Sequence, residues 1–578
     1  MNPNPIPRGR SGRHLASLIQ MLAGAGALLA SVCARGQGLE FEQPNPTPGG
    51  VSPFPVITSI QESPAKDSVL IKWIGVQGPY QIQHKDVVAG ATWTDVGPPG
   101  DVKELTHAKT GASGFYRVLG APPAYQGAAT CAECHGGIYQ SWSHTSHANA
   151  FQLLKDRGQD KNPACVVCHT VGFGTANGFI SEAKTPQYAN IQCENCHGPG
   201  GDHIGSGEVP TVFPIATFSP KMCAGCHNGY MHPTYDEWKS STHSRVVPDL
   251  VADFSSTNRT TAIARMSTCG PCHSGAVRTA MLEANGLISW TDRTNVNYPT
   301  GLVATNTAQV CIVCHDQHGV HVYTNVISGI MYTNQIRNPL SSLVDFSYNT
   351  GTNFASQYNP EVNVCAQCHN ARGATVGSSG RPPHYSPQYN ILIGTIGVTA
   401  DAKPPQGAHQ KNVLQCAGCH VYSHGEENPT PASPAYTGHT FKPTIEACRS
   451  CHTDVTGDKT ADNLLATTQN EVKLLVSATK GLLDQWATTK NTNAWAAKYG
   501  NLGWEYTAPG ELSNPTANPL TVGPATAEQA QIPAAIKDAR YNLYLVSRDK
   551  SNGIHNAPYV KYLLTVAQAK VNAELAKP

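Results

Sequence analysis

The chain has 578 residues, and its 40 Lys+Arg against 39 Asp+Glu leave a net charge of +1. That length allows several domains, and that charge balance excludes a strongly basic nucleic-acid binder. Charged residues make up 14% of the chain, below the roughly 25% of an average soluble protein, whereas 19 cysteines and 24 histidines stand out.

Residues 1–34 read as a secretory signal peptide. Arg8, Arg10 and Arg13 form a basic start, Leu15 to Ala30 is almost wholly apolar, and Val32-Cys33-Ala34 offers a cleavage site after Ala34. An uncleaved anchor is disfavoured, because the apolar run is short for a span and contains Gly24 and Gly26. The mature protein is therefore expected to be exported, periplasmic or extracellular, without Cys33. No later segment is apolar enough to give the mature form a stable membrane span.

Residues 38–122 carry no cysteine. Pro44, Pro46, Pro48, Gly49 and Gly50 make a linker. Val69, Ile71 and Trp73 then alternate, as do Tyr80 and Ile82, and Phe115 to Leu119 forms a last short run. Alternation broken by turn residues predicts a small β-sandwich, similar to immunoglobulin or fibronectin modules.

Residues 125–457 hold the chemistry. The other 18 cysteines form nine Cys-x-x-Cys pairs, each followed at once by histidine. They are Cys131-Cys134-His135, Cys165-Cys168-His169, Cys193-Cys196-His197, Cys223-Cys226-His227 and Cys269-Cys272-His273. Cys311-Cys314-His315, Cys365-Cys368-His369, Cys416-Cys419-His420 and Cys448-Cys451-His452 complete the set. Two thiols one helical turn apart can bond the two vinyl groups of one haem, and the adjoining imidazole then meets the iron. Structural disulfides would not place histidine after every second cysteine. Zinc sites do not repeat this five-residue pattern. Nine covalently attached haem c groups are expected. The motif starts lie 34, 28, 30, 46, 42, 54, 51 and 32 residues apart, which excludes a fixed-period solenoid. So little chain per haem predicts a core packed largely by porphyrin, mostly irregular and helical.

Whether each iron is closed depends on the spare histidines. Setting aside the nine in motifs, His14 in the leader, and His84 and His107 in the β module leaves twelve. His147, His203, His243, His318, His321, His384, His409, His439 and His555 are the expected second ligands. His147 and His243 share a setting, each five residues after a tryptophan (Trp142 and Trp238). His144, His232 and His424 are the expected bystanders. The supply permits nine bis-histidine irons.

Residues 458–578 read as helical. Leu465, Val472, Leu475, Leu482, Leu483 and Trp486 follow a 3.6 period, as do Ile532, Ile536, Leu543 and Val546, and then Val560, Leu563, Leu564 and Val571. Pro509, Pro515, Pro519 and Pro524 mark a loop, so a long-helix hairpin packed on the haem core is expected. The expected whole is multidomain: β-sandwich, haem-packed core and helical hairpin.

Residues 125–245 resemble the tetrahaem electron carrier of nitrification. The resemblance rests on Cys131-Ala-Glu-Cys134-His135, Tyr139-Gln-Ser-Trp142, Ser146-His147-Ala148 and Cys193-Glu-Asn-Cys-His-Gly-Pro-Gly200. Residues 409–564 are similar to the ends of ammonia-forming nitrite reductases and hydroxylamine oxidoreductases, through Gly438-His439-Thr440-Phe441, the ninth motif and Gly553-Ile554-His555-Asn556. The resemblance implies haem-based electron transfer with redox partner proteins. The nitrite reductases' lysine-ligated Cys-x-x-Cys-Lys motif is missing. The tyrosine that hydroxylamine oxidoreductases cross-link has no assigned equivalent among Tyr541, Tyr544, Tyr559 and Tyr562.

An electron carrier is the first expectation. The alternative is a multihaem oxidoreductase of nitrogen or sulfur compounds (nitrite, hydroxylamine, sulfite or tetrathionate), with one open haem. The fifth motif is then the candidate, because no spare histidine lies between residues 274 and 314. No catalytic residue can be named, and the sequence leaves oligomerisation open.

Overall fold

The computed structural model describes residues 56–74, 77–86, 92–100, 102–109, 111, 114–121, 124–175, 177–206, 220–245, 248–285, 293, 295–302, 308–319, 323–324, 331–332, 335–337, 364–412, 414–425, 428–512 and 522–578. The expected signal peptide and linker lie outside these residues. The chain divides into two compact units, one containing residues 56–121 and the other 124–578.

The first unit is built of six antiparallel strands, β1 (Val56–Glu62), β2 (Ser68–Ile74), β3 (Gln77–Lys85), β4 (Thr94–Asp95), β5 (Glu104–Ala108) and β6 (Phe115–Ala121). One sheet has the order β1-β2-β5 and the other β4-β3-β6. Ile71 pairs with Ile60 on one side and Leu105 on the other, and Ile82 pairs with Val118. Strand alternation turns Val69, Ile71 and Trp73 inward and Lys72 outward. The inward residues meet Tyr80, Ile82, Tyr116 and Val118 of the second sheet in one core. His84 and His107 sit around Tyr116, whose hydroxyl is 2.9 Å from His107 Nδ1.

In the second unit most motifs lie on helices, from 4 to 15 residues long. These include Ala128–Trp142, Pro163–His169, Cys193–His197, Arg259–His273, Cys311–Cys314, Gln415–His420 and Ile445–Arg449. Local sequence starts and stops them. Asn162 accepts the Ala164 amide with Pro163 in the first turn, and Asn258 accepts the Thr261 amide. After His169 and His197 the chain leaves helix at once, through extended Thr170 and through Gly198 at φ 81°, whereas the first helix kinks at His135 and runs on to Trp142.

The C-terminal stretch departs from the hairpin expectation. Three long helices, Ala461–Thr489, Ala534–Asp549 and Ala557–Leu575, pack against one another. The two later periodic runs are separate helices, divided by a turn in which Lys550, Asn552 and Gly553 take φ of 64°, 51° and 93°. A Cβ on Gly553 would come 2.7 Å from Val472 Cγ2 of the first helix, so only glycine fits this turn. Asn556 then caps the third helix through the Tyr559 amide. The helices' core also takes in Ala371, Ala374, Ile391 and Ile396, so one unit runs across the expected 457/458 boundary.

Candidate haem-binding sites

Every motif histidine faces another imidazole. The ring centres lie 6.2 Å apart for His135 and His203, 6.4 Å for His169 and His232, and 6.0 Å for His197 and His318. The distances are 6.2 Å for His227 and His147, 5.9 Å for His273 and His384, and 6.2 Å for His315 and His439. They are 6.2 Å for His369 and His243, 6.2 Å for His420 and His555, and 6.1 Å for His452 and His409. Two metal–imidazole bonds of about 2.0–2.1 Å, each extended by about 1.1 Å to the ring centre, give about 6.3 Å. His232 also lies 6.3 Å from His227. Among the described residues only one matching gives each motif histidine its own partner, with His232 on His169 and His147 on His227.

The donor set fits haem c. The rings oppose each other in twos, and among the described residues no three His, Cys, Asp or Glu side chains gather into a cage. The 18 motif thiols form no disulfide. Burial pulls His147, His232, His243, His273, His318, His420 and His439 below the usual imidazole value. Burial also pushes His227, His369 and His384 down to about 4. These rings are thus neutral near pH 7, the state whose lone pair can bind iron.

The tryptophan–histidine echo has a structural cause. Trp142 Nε1 donates to the Ile191 carbonyl at 3.1 Å, and the Ile191 amide donates to the His147 carbonyl at 3.1 Å. Trp238 Nε1 donates to the Gln309 carbonyl at 2.8 Å, and the Gln309 amide donates to the His243 carbonyl at 2.9 Å. Ile191 and Gln309 each stand two residues before a motif cysteine. The same clip, used twice, therefore fixes a facing histidine beside the start of a later motif.

The free ring nitrogens are tied down as well. His169 Nδ1 is 2.8 Å from the Ala150 carbonyl, His420 Nδ1 2.9 Å from Phe441 O, and His409 Nδ1 2.6 Å from Ile554 O. Such bonds fix the tautomer and the ring plane. His555 differs, because its Nδ1 lies 2.6 Å from Asp549 Oδ1. Burial works against a charge on this ring, and the carboxylate outweighs it, so its basicity is raised.

The motifs also lie near one another. The thiols of Cys131 and Cys193, Cys168 and Cys226, Cys223 and Cys311, Cys272 and Cys368, and Cys365 and Cys416 lie close enough to shift one another's acidity. Cys196 and Cys223, Cys314 and Cys365, and Cys419 and Cys448 are near enough to interact electrostatically. This proximity orders the motifs as 1-3-4-6-7-8-9, with the second near the fourth and the fifth near the seventh.

Eight of the nine second ligands expected from sequence face a motif histidine. The ninth, His321, lies outside the described residues, and His232, expected as a bystander, faces His169. Its setting, Tyr230-Met231-His232-Pro233, carries no echo of the others. His144 is exposed and bonded to the Gln140 carbonyl, and His424 packs against Tyr436 with tilted rings 4.6 Å apart. Asp549 carried no sequence signal. Tyr544, Tyr559 and Tyr562 have their hydroxyls held by Glu505, the Ile396 carbonyl and the 400–401 amides.

Comparison with known proteins agrees with this chemistry. The family model "Cytochrome c554 and c-prime" matches residues 130–198, and "Outer membrane cytochrome MtrC/MtrF-like, domains II/IV" matches residues 348–492. Cytochrome c-554 of Nitrosomonas europaea is 37% identical over 16% of this chain and 47% of its own length. The C-type polyheme cytochrome OmcB of Geobacter sulfurreducens is 26% identical over 40% of this chain and 28% of its own. The multiheme cytochrome MtrA of Shewanella baltica is 26% identical over 27% and 46%. The chain thus spans less than half the length of each of these relatives. Among solved structures, the outer cell wall cytochrome OcwA is similar over 77% of this chain and 99% of its own, at 18% identity and a TM-score of 0.44. The undecaheme S-layer cytochrome of Carboxydothermus ferrireducens is similar over 79% and 70%, at 18% identity and 0.46. Both scores fall below the level at which a shared fold follows. Motifs and family matches together mark the chain as a multihaem c-type cytochrome. The link to the nitrification branch rests on residues 130–198. Among the described residues no helix is long and apolar enough to cross a membrane.

Proposed function

We propose that this chain is an exported nonahaem c-type cytochrome that carries electrons between redox partner proteins. The supporting observation is the one-to-one matching of nine motif histidines with nine facing imidazoles. Each cysteine pair would hold one haem by thioether bonds, and each facing pair would supply both axial nitrogens. His232 takes the place the sequence reading gave to His321. Haem c supplies a one-electron iron couple at each site. With imidazole on both faces, no position is left for a substrate, which suits electron transfer. The clips from Trp142 and Trp238 hold His147 and His243 in place, and the carbonyls of Ala150, Phe441 and Ile554 fix neighbouring ring planes. The proximity order of the motifs makes the nine sites one connected, twice-branched line. The oxidoreductase reading is weaker, because His384 faces His273, the motif histidine that lacked a spare nearby in sequence.

Intact mass of the exported protein, paired with a coulometric titration, tests this reading. It expects a chain beginning after Ala34, nine haem additions and nine electrons taken up. Fewer additions would overturn it, as would steady consumption of nitrite, hydroxylamine, sulfite or tetrathionate by the reduced protein.

A further inference from the structure

The turn between the second and third long helices controls two neighbouring sites. Its Ile554 carbonyl accepts His409 Nδ1, beside the ninth motif, and its His555 faces His420 of the eighth. Within this turn Asp549 is the unusual residue. Its side chain is 1% exposed, although a carboxylate is costly to bury without partners. One oxygen meets His555 Nδ1 at 2.6 Å, and the other accepts from Ser551 Oγ. Ser551 Oγ in turn accepts the Gly553 and His555 amides at 3.2 and 3.3 Å. The carboxylate, the serine and the imidazole are therefore held as a rigid set.

Resting on the electron-carrier reading above, we propose that the Asp549 carboxylate lowers the reduction potential of the eighth site, His420 with His555. A ring whose Nδ1 proton is bonded to an anion is a more basic, more electron-rich ligand than one bonded to a carbonyl. Such a ligand favours the oxidised, more positive iron, so the site takes up its electron less readily. No atom is transferred; the one electron arrives from a neighbouring site. His169, His409 and His420 make the same kind of bond to neutral carbonyls, which provides the internal contrast. The eighth site stands between the seventh and the ninth in the proximity order. Asp549 therefore sets a step that separates the ninth site from the rest of the line.

The test is a spectroelectrochemical titration of the haem-loaded full chain, with electron paramagnetic resonance of the oxidised form. In Asp549→Asn, one of nine transitions should move tenfold toward the reduced form, about 60 mV at 59 mV per decade for a one-electron couple. That haem should stay low-spin. Should Asp549→Asn fail to load haem, Ser551→Ala serves instead. It removes a donor from the carboxylate, concentrates its charge toward His555, and should move the same transition severalfold the other way. Nine unmoved transitions in whichever variant loads would overturn the inference. His555→Ala distinguishes that failure from a failure of the ligand reading itself. One high-spin haem is expected there, and its absence would mean that His555 is no ligand, which overturns both.

Discussion

The three long C-terminal helices and the stretch that bears the motifs bury their apolar residues in different ways. In the helices one continuous core joins Val472, Leu483, Trp486, Trp504, Ile536, Leu543, Leu545, Leu563 and Leu564. Among the described residues between 125 and 452, the buried apolar residues outside that core fall into smaller separate groups. Phe151, Leu154, Val166 and Phe179 make one, and Trp238, Ala308, Val310 and Val313 another. Groups of three to seven side chains, the largest around Met266 and Val277, cannot offset the entropy of ordering so long a chain. The helices are thus stabilised by their own side chains, and the motif stretch needs its cofactors as core.

That contrast breaks most visibly without haem. In chain produced without haem attachment, hydrogen exchange should find the helices 461–489, 534–549 and 557–575 still protected and the motif helices unprotected. Equal protection in both would remove the distinction. Within the helical core, Leu563→Ala should cost about 2–5 kcal/mol, read by denaturant unfolding, with the haem spectrum unchanged. Leu563 is 0% exposed, and its methyls lie 2.7–3.1 Å from where a Cβ on Gly397 would stand, leaving little room for the site to collapse.

The motif stretch has its own polar ties, and they sharpen the comparison. Glu194, buried between two motif cysteines, accepts the amides of Gln126, Gly127 and Gly200 at 3.0, 2.8 and 2.7 Å. It binds the start of the first motif helix to the third motif. Glu194→Gln should lose about 1.5–3 kcal/mol, the range for hydrogen bonds to a charged group. The expected sign is a lower unfolding midpoint, and an unchanged one would make the tie irrelevant.

A smaller effect is expected where the two regions meet. Glu511 accepts from Arg548 at 3.0 Å and from Tyr385 Oη at 2.8 Å, one residue after His384. Burial opposes its charge, but Arg548, a backbone amide and Tyr385 outweigh this and hold its carboxyl below the usual 4.5. The folded state thus binds its proton more weakly than the unfolded state does. The stability it adds is present above pH 4.5 and is lost as the pH falls through the folded value. Unfolding between pH 6 and pH 3 should show a loss of about 1 kcal/mol that Glu511→Gln abolishes.

Much of the haem chemistry was legible in the sequence because covalent attachment has a rigid spacing rule. Cys-x-x-Cys-His needs one helical turn, and the structure supplies that turn at motif after motif. Facing histidines were legible where a local frame repeats, as with Trp142 to His147 and Trp238 to His243. His232 was not, because what brings it to His169 is chain folding over more than sixty residues. Asp549 was invisible for the same reason: a carboxylate matters here only through the turn that aims it. The strand alternation of the β module could be read directly. The hairpin expectation failed at residues 550–556, where positive φ at Lys550 and Asn552 breaks the helix without proline.

The most direct test of nine closed sites is an electron paramagnetic resonance spectrum of the oxidised, fully haem-loaded protein. Nine facing imidazole pairs predict low-spin ferric signals alone, unchanged by nitrite, hydroxylamine or cyanide. A high-spin signal equal to about one haem, shifting when those ligands are added, would contradict the account and point to an enzyme.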